Sequence, residues 1–399
     1  MSDSNVPEDV KKLISEIISR NNWEPVSEPK YSPACESGDG YICIHLAVEI
    51  PLQNETIRLF VKYPAGVKLF EGDTDSDRIY LNEIYLYNNI IVSYNNFLDD
   101  KGVKDRCVSA PKSYGSSAKH ALVLDNLIYK GYKMFDRKKL MNDQHIKLVL
   151  KSFAKFHGTS FAFKDQKRSD YDELAKNCGS NVWKGKTYDT PVMKVFFDAM
   201  KDAFAKFDPE KDQHLLERCK PEVLIDTLRE IGCNQDRSSI ITKGDCWSNN
   251  MMFLYENDNT ENPIDVMQLD WQLVEVASPV YDISYFFYTT ASQEALSKLD
   301  DYLEFYYSEL SEQIQKLGSD PKYLYPFSAF KKEWKLYCKF GFALAFMVFR
   351  VMLANPDEVP DMTEMHRNEV GIFDKFVNEE EYMKRIKLLA ELLVERNYI

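Results

Sequence analysis

In the segment ITKGDCWSNNMMF, residues 241–253, Asp245 precedes Asn250 on what reads as a short loop. A hairpin then leads to DVMQLDWQ, residues 265–272, which brings Asp270 to the end of a strand. A phosphotransferase needs these residue types in this order. A carboxylate at Asp245 accepts the proton of an attacking hydroxyl. Asn250 offers a neutral oxygen and Asp270 a charged one. Mg²⁺ takes one or two protein carboxylates and leaves its other positions to phosphates and water. Gly-Asp and Asn-Asn pairs are also ordinary turn material. A turn alone does not account for Trp247, for the apolar strand after Asn250, or for Asp270 closing the return strand.

Such a site also needs a cation for the phosphates. In IRLFVKY, residues 57–63, a period of two puts Phe60 and Lys62 on one face and Ile57, Leu59 and Val61 on the other. A strand-end lysine commonly snorkels to water. In a cleft it contacts α- and β-phosphates instead. Glu83 favours the cleft. In the helical stretch SDRIYLNEIYLYNNII it falls on the stripe of Ile79, Leu86, Tyr87 and Ile90. A carboxylate on an apolar stripe is costly unless paired, and Lys62 is its logical partner. Phe60 is then placed to roof an adenine. The segment CESGDGYIC offers backbone N–H groups around Ser37, with Gly38 and Gly40 for freedom, to cover phosphates. It is not a GxGxxG, and a plain turn explains two glycines equally well. HALVLDNL reads as the connection between lobes, its backbone at Val123 and Leu124 set to bond adenine. An ordinary buried strand would read the same.

The elements that must carry these residues fall into two groups. Residues 8–20 form an amphipathic helix with Val10, Leu13, Ile14, Ile17 and Ile18 on one stripe. YICIHLAVEI alternates, with Ile42, Ile44, Leu46, Val48 and Ile50 on one face, as in a half-buried strand. The turn PLQNET leads into the Lys62 strand. A further strand runs into Pro111, and from about residue 130 the pattern is helical apart from the hairpin. The expected fold is α+β and bilobal. A small antiparallel-sheet lobe spans 1–124, a larger and mostly helical lobe spans 125–399, and a cleft lies between them.

The chain has 399 residues and a net charge of −13, which argues against general affinity for nucleic acid or anionic membranes. Its eight cysteines show no CxxC pair, and the N-terminal stretch has no apolar export segment, so a reduced, cytoplasmic protein is expected. The window FGFALAFMVFRVMLA, residues 340–354, is too short to span a bilayer and contains Arg350; it reads as a buried helix. His157 sits among Val149, Leu150, Phe153 and Phe156, as a satisfied core histidine does. Asp282, in SPVYDISYFF, reads first as a helix N-cap and second as a brace for the catalytic loop. No His/Cys group has zinc spacing, and no GxSxG or Cys/His pair points to a hydrolase.

Taken together, LFVKYP, NEIYLY, LVLDNLIYKGYKMFDR, FAKFHGTS, KGDCWSNNMMF and LDWQ resemble the ecdysteroid kinase-like proteins of arthropods. These are related to choline and aminoglycoside phosphotransferases and share the protein-kinase-like fold. The resemblance runs from about residue 35 to about residue 350. It implies an ATP- and Mg²⁺-dependent kinase of small-molecule alcohols, with an ecdysteroid hydroxyl as the type acceptor. Asp245 resembles the catalytic aspartate, Asn250 and Asp270 the metal ligands, and Lys62 and Glu83 the phosphate-binding ion pair. One departure stands out: the family usually has His-Gly-Asp, and this chain has Lys243-Gly244-Asp245. Lysine has three donors and no acceptor. It can donate to a carbonyl or toward Asp270 but cannot reproduce both ring nitrogens. Asp-Trp-Gln in place of Asp-Phe-Gly removes the glycine that a flip of the metal loop would use.

The acceptor stays open between classes. Aromatic runs in SYFFYTT, EFYYSEL and YLYPFSAF offer a flat apolar pocket for a steroid, or are simply core. A cationic acceptor such as choline or an aminoglycoside would want acidic and aromatic groups. A silent, binding-only relative draws support from Lys243 alone. A protein kinase is disfavoured because no activation-loop and APE-like segment follows Asp270.

Overall fold

The computed structural model describes residues 6–34, 43–64, 76–117, 121–179, 182, 190–231, 233, 237–355, 358 and 378–399. Helix α1 (Glu8–Arg20) opens the chain. Strands β1 (Lys30–Pro33), β2 (Cys43–Pro51) and β3 (Thr56–Pro64) follow, then α2 (Ser76–Tyr85), a π-turn (Leu86–Ile90) and α3 (Ile91–Asp100). With β4 (Ser113–Ser116) and β5 (Leu122–Asp125) the first three strands build a five-stranded antiparallel sheet in the order β1-β2-β3-β5-β4.

The period-two pattern decides which face is dry. Leu46, Val48, Ile50, Leu59 and Val61 pack against Val10, Leu13, Ile14 and Ile17 of α1. The alternate residues, His45, Phe60 and Lys62, face the other way, and register pairs His45 with Lys62. Helix α2 follows the reading of its stripe, since Ile79, Glu83, Leu86, Tyr87 and Ile90 are all buried. Beyond the π-turn, Tyr94, Phe97 and Leu98 join Phe156, Phe163 and Trp271 in a second core that fastens α2 and α3 to the helical region.

The helical region begins after β6 (Lys133–Met134) with α4 (Asp143–Gln166), capped by the Asn142 side chain, which accepts from the His145 N–H. Then come α5 (Arg168–Lys176), α6 (Pro191–Ala205), α7 (Gln213–Arg218) and α8 (Pro221–Glu230). Strands β7 (Ile240–Thr242), β8 (Met251–Tyr255), β9 (Pro263–Gln268) and β10 (Glu275–Ala277) carry the chemistry-bearing loops; β7 pairs with β10, and β8 lies between β6 and β9. Helices α9 (Val280–Thr290), α10 (Gln293–Ser297), α11 (Leu299–Lys316), α12 (Pro321–Leu324), α13 (Phe327–Tyr337), α14 (Lys339–Leu353) and α15 (Glu379–Glu395) complete the chain.

Helix α14 is the apolar window, buried almost throughout as read. No single helix among the described residues is long and apolar enough to cross a membrane. Most of the aromatic runs are core: Phe286, Phe287, Tyr288, Tyr306, Tyr325 and Phe330 are buried in the main cluster. The sequence gives α9, α11 and α13 aromatic residues that pack into one cluster.

Helices α14 and α9 touch at a glycine. A Cβ on Gly341 would stand 2.3 Å from the Ser284 carbonyl oxygen, too close for either backbone to stay in place. Overpacking of this kind costs about 1–3 kcal/mol. Gly341→Ala should lower the unfolding free energy by that amount in a denaturant titration. It should also reduce any activity that depends on α9.

Candidate active site

Strand β3 delivers Lys62 to a buried position facing α2. Its Nζ donates to Glu83 Oε2 at 2.8 Å and to Asp270 Oδ1 at 2.9 Å. With the Gln272 amide oxygen turned toward it, Nζ also donates there at 3.0 Å, and the amide nitrogen donates to Asp270 Oδ1 at 3.3 Å. Burial pulls the ammonium toward its neutral form. The charges of Asp270 and Glu83 outweigh that and hold it well above the ordinary lysine range. Glu83 spends its other oxygen, Oε1, on the Trp271 N–H at 3.1 Å. One carboxylate therefore ties β3 to the Asp-Trp-Gln loop, which explains its place on an apolar stripe.

That loop is held from a second direction. Asn82 Nδ2 donates to the carbonyls of Gln272 and Val274, both at 2.8 Å, and its Oδ1 accepts from the Gly179 N–H at 3.1 Å. Asp270 has φ +54°, a left-handed conformation that non-glycine residues seldom adopt. Burial raises its carboxyl, but the Lys62 ammonium prevails, and the net shift is below the ordinary aspartate range.

The loop from β7 to β8 carries Asp245. Asn250 Nδ2 donates to Asp245 Oδ2 at 2.7 Å, and the Tyr285 hydroxyl donates to Oδ1 at 3.0 Å. Burial, joined by the charge of Asp270, raises the Asp245 carboxyl against the pull of Lys243 and of these two hydrogen bonds. Gly244 is obligatory: its φ is +84°, and a Cβ there would meet the Leu273 carbonyl oxygen at 2.0 Å.

Asp282 braces this loop and does not cap its helix. It lies inside the first turn of α9, whose N-cap is Pro279, without a side-chain cap. Its Oδ2 accepts from the Lys243 N–H at 2.7 Å and Oδ1 from the Gly244 N–H at 2.8 Å. The carboxylate faces back across the loop because two N–H groups of a tight turn are stronger partners than a helix end already in use. His157 completes the brace: Nε2 lies 3.0 Å from Asp282 Oδ2, and Nδ1 lies 2.8 Å from the Tyr306 hydroxyl. Both ring nitrogens are thus satisfied when Nε2 carries the proton. His157 is the core histidine its neighbours implied. Lys243, fully buried, donates from Nζ to the carbonyl oxygens of Asp245 at 2.7 Å and Asp270 at 2.8 Å.

The structure brings Lys62, Glu83, Asp245, Asn250 and Asp270 into one hydrogen-bonded constellation. It places Val123 and Leu124 elsewhere than expected. Strand β5 runs between β3 and β4, so both residues are paired on each edge and the sheet takes up their backbone groups. Asn126, just past β5, still reaches β3, its N–H donating to the Arg58 carbonyl oxygen at 3.3 Å. Phe60 is half-buried with its ring centroid 5.1 Å from that of His45. Ser37 and its glycines lie outside the described residues. The sequence reading missed Asn82, Gln272 and Tyr285. Asn82 carried a signal, a second polar residue beside Glu83 on the inward side of α2; Tyr285 was hidden in an aromatic run.

The donor set fits a magnesium-bound nucleotide. Asn250 has its nitrogen committed to Asp245, and among the described residues neither its Oδ1 nor Asp270 Oδ2 receives a hydrogen bond. These are hard oxygen donors, two in number, which suits a cation that shares its shell with phosphates.

A strand-borne lysine pairs with a helix-borne glutamate and with Asp270, beside the loop of Asp245 and Asn250, in a chain of the small-molecule kinase class. The chain belongs to the ecdysteroid kinase-like family, whose model matches residues 37–319. It is similar in structure to an ethanolamine kinase of Plasmodium vivax, at 14% identity over 93% of this chain and 83% of that one, with a TM-score of 0.44. It is similar also to a choline kinase of Cryptosporidium parvum, at 12% identity over 97% of both chains, TM-score 0.46. A third likeness is to an aminoglycoside 2′-phosphotransferase in complex with GDP, at 11% identity over 97% of this chain and 98% of that one, TM-score 0.42. No curated protein matches the chain.

Asp282→Asn should separate brace from site. It keeps the shape and exchanges a charged acceptor for an amide, at a cost of about 1.5–3 kcal/mol for hydrogen bonds to a charged group. Burial raises the Asp282 carboxyl, but His157 and the two backbone donors outweigh it, so its folded value is lowered. Its contribution is therefore complete above the unfolded value near pH 3.9 and is lost as pH falls through the lowered folded value. Denaturant titrations of both proteins should show a constant stability gap from neutral pH down to about pH 4, closing below it.

Proposed function

We propose that the protein transfers the γ-phosphate of Mg·ATP to a hydroxyl of a small alcohol, and that an ecdysteroid or related steroid is the favoured acceptor. The observation that carries this reading is the shared Asp270. It is held by Lys62 from the sheet side, and Lys243 links its carbonyl to that of the candidate base, Asp245. The steroid preference rests on family membership.

In this reading the nucleotide lies between a lobe ending near Leu124 and a lobe beginning at Asp125. Lys62 donates to its phosphates while Glu83 keeps the ammonium in place. The adenine edge meets backbone just past β5, near Leu127, and Phe60 roofs the ring. Asn250 and Asp270 would hold Mg²⁺, which would offset the charge of the phosphates. Asp245 accepts the hydroxyl proton. Its Oδ1 is aligned by Tyr285 and its Oδ2 by Asn250, so the base is oriented before the acceptor arrives. Lys243, the residue that spoke for a silent relative, is accommodated without displacing any of the five.

The test is ATP consumption by the full chain with Mg²⁺, against ecdysteroids, plant sterol glycosides, choline and aminoglycosides, with mass spectrometry for the added phosphate. A phosphorylated steroid is the expected product. Asp245→Ala should lower its formation by about 10²–10⁴-fold, and Asp270→Ala should abolish the dependence on Mg²⁺. Near-normal turnover in Asp245→Ala would remove it as the base. Phosphorylation of choline or an aminoglycoside alone would replace the steroid with a cationic acceptor.

A further inference from the structure

Lys243 is wholly buried, a costly place for an ammonium. Its Nζ has three N–H directions and uses each. Two go to the carbonyl oxygens of Asp245 and Asp270, and the third to the face of Trp271, with Nζ 5.2 Å from the ring centroid. Its partners are loop carbonyls and an indole ring, whereas those of Lys62 are carboxylates, so Lys243 is not a second Lys62.

What it holds is an awkward piece of backbone. Asp270 stands in the left-handed region, and a residue there persists only where its surroundings over-determine it. The flanking amides are fixed, the Leu269 N–H on the Asn250 carbonyl at 2.8 Å and the Trp271 N–H on Glu83 at 3.1 Å. Among the described residues the Asp270 carbonyl itself is fixed by Lys243. The same ammonium holds the Asp245 carbonyl, and Asn250 Nδ2 reaches that oxygen too, at 3.3 Å. Lys243 thus stands where the loop of the base and the loop of the metal ligand meet.

We propose that Lys243 is a positioning residue for the divalent cation: it keeps Asp270 in its left-handed conformation and in register with Asp245 and Asn250, so that the two oxygen donors are preset. The inference rests on the phosphotransferase reading above. It separates two roles for buried positive charge, Lys62 for phosphate and Lys243 for the geometry of the metal ligands.

The experiment is calorimetric titration of the full chain with ATP, once with Mg²⁺ and once with EDTA, for wild type, Lys243→Met and Lys243→Gln. Loss of an outer-shell partner typically costs about 10–100-fold in metal affinity. Lys243→Met should therefore weaken Mg·ATP binding by about that factor and leave metal-free ATP binding unchanged. Lys243→Gln, which keeps two N–H donors, should recover most of the loss and decides the matter if the methionine variant does not fold. Equal weakening with and without Mg²⁺ would mean phosphate contact or general disorder and would overturn the proposal. So would Mg·ATP binding as tight as in wild type. A wild-type chain that binds no Mg·ATP would overturn the phosphotransferase reading and this proposal with it.

Discussion

A lysine ammonium leaves water only in the company of acceptors, and Lys62 has collected them from two parts of the chain far from its own strand. Glu83 comes from α2, and Asp270 and Gln272 from the loop between β9 and β10. Removing one partner of such a buried pair leaves an uncompensated charge, at a cost of about 3–5 kcal/mol. The sheet, the helix behind it and the Asp270 loop are therefore bound to one another through one nitrogen. The Trp271 N–H on Glu83 and the Asn82 amide on two loop carbonyls repeat the same tie from the helix side. What looks like a cleft between two lobes is closed at its back by charge and amide hydrogen bonds.

Helix α9 does for Asp245 what α2 does for Lys62. Asp282 and Tyr285 lie three residues apart, on neighbouring positions of one helical face. The first holds loop backbone at Lys243 and Gly244, and the second holds the Asp245 carboxylate itself. His157 on α4 and Tyr306 on α11 stand behind Asp282. Positions within the loop are thus settled by side chains on three helices.

The sequence made some of this legible and concealed the rest for physical reasons. Period-two alternation exposed β2 and β3, because one of their faces is dry and the other is not. Glu83 announced its partner because a carboxylate on an apolar stripe is stable only beside a cation or a set of donors. The order of Asp245, Asn250 and Asp270 put them in one proposed site, and the fold links the three through hydrogen bonds. Asp282 was misread because an aspartate in a first helical turn looks like a cap, and only the fold reveals the two N–H groups facing it. The backbone of Val123 and Leu124 is taken up by the sheet, which an apolar strand does not announce, since it carries no mark of whether its edges are paired. The aromatic runs read mostly as core, and most of them are, although ring-rich helices serve a core and an apolar pocket alike. Lys243 showed its capacity, three donors and no acceptor, but not which carbonyls would take them.

The π-turn at Leu86–Ile90 gives the helix that carries Glu83 a further property. An α-helix advances 3.6 residues per turn, so adding or losing one residue rotates everything beyond it by about 100°. Upstream of that turn the helix answers to Lys62 and the Asp-Trp-Gln loop; downstream it answers to Phe156 and Phe163 in the helical region. The wide turn is where two demands on azimuth are reconciled. A deletion within it would act as a change of phase more than of length: the carboxylate could keep its lysine or Tyr94 its core, but a straight helix would not satisfy both.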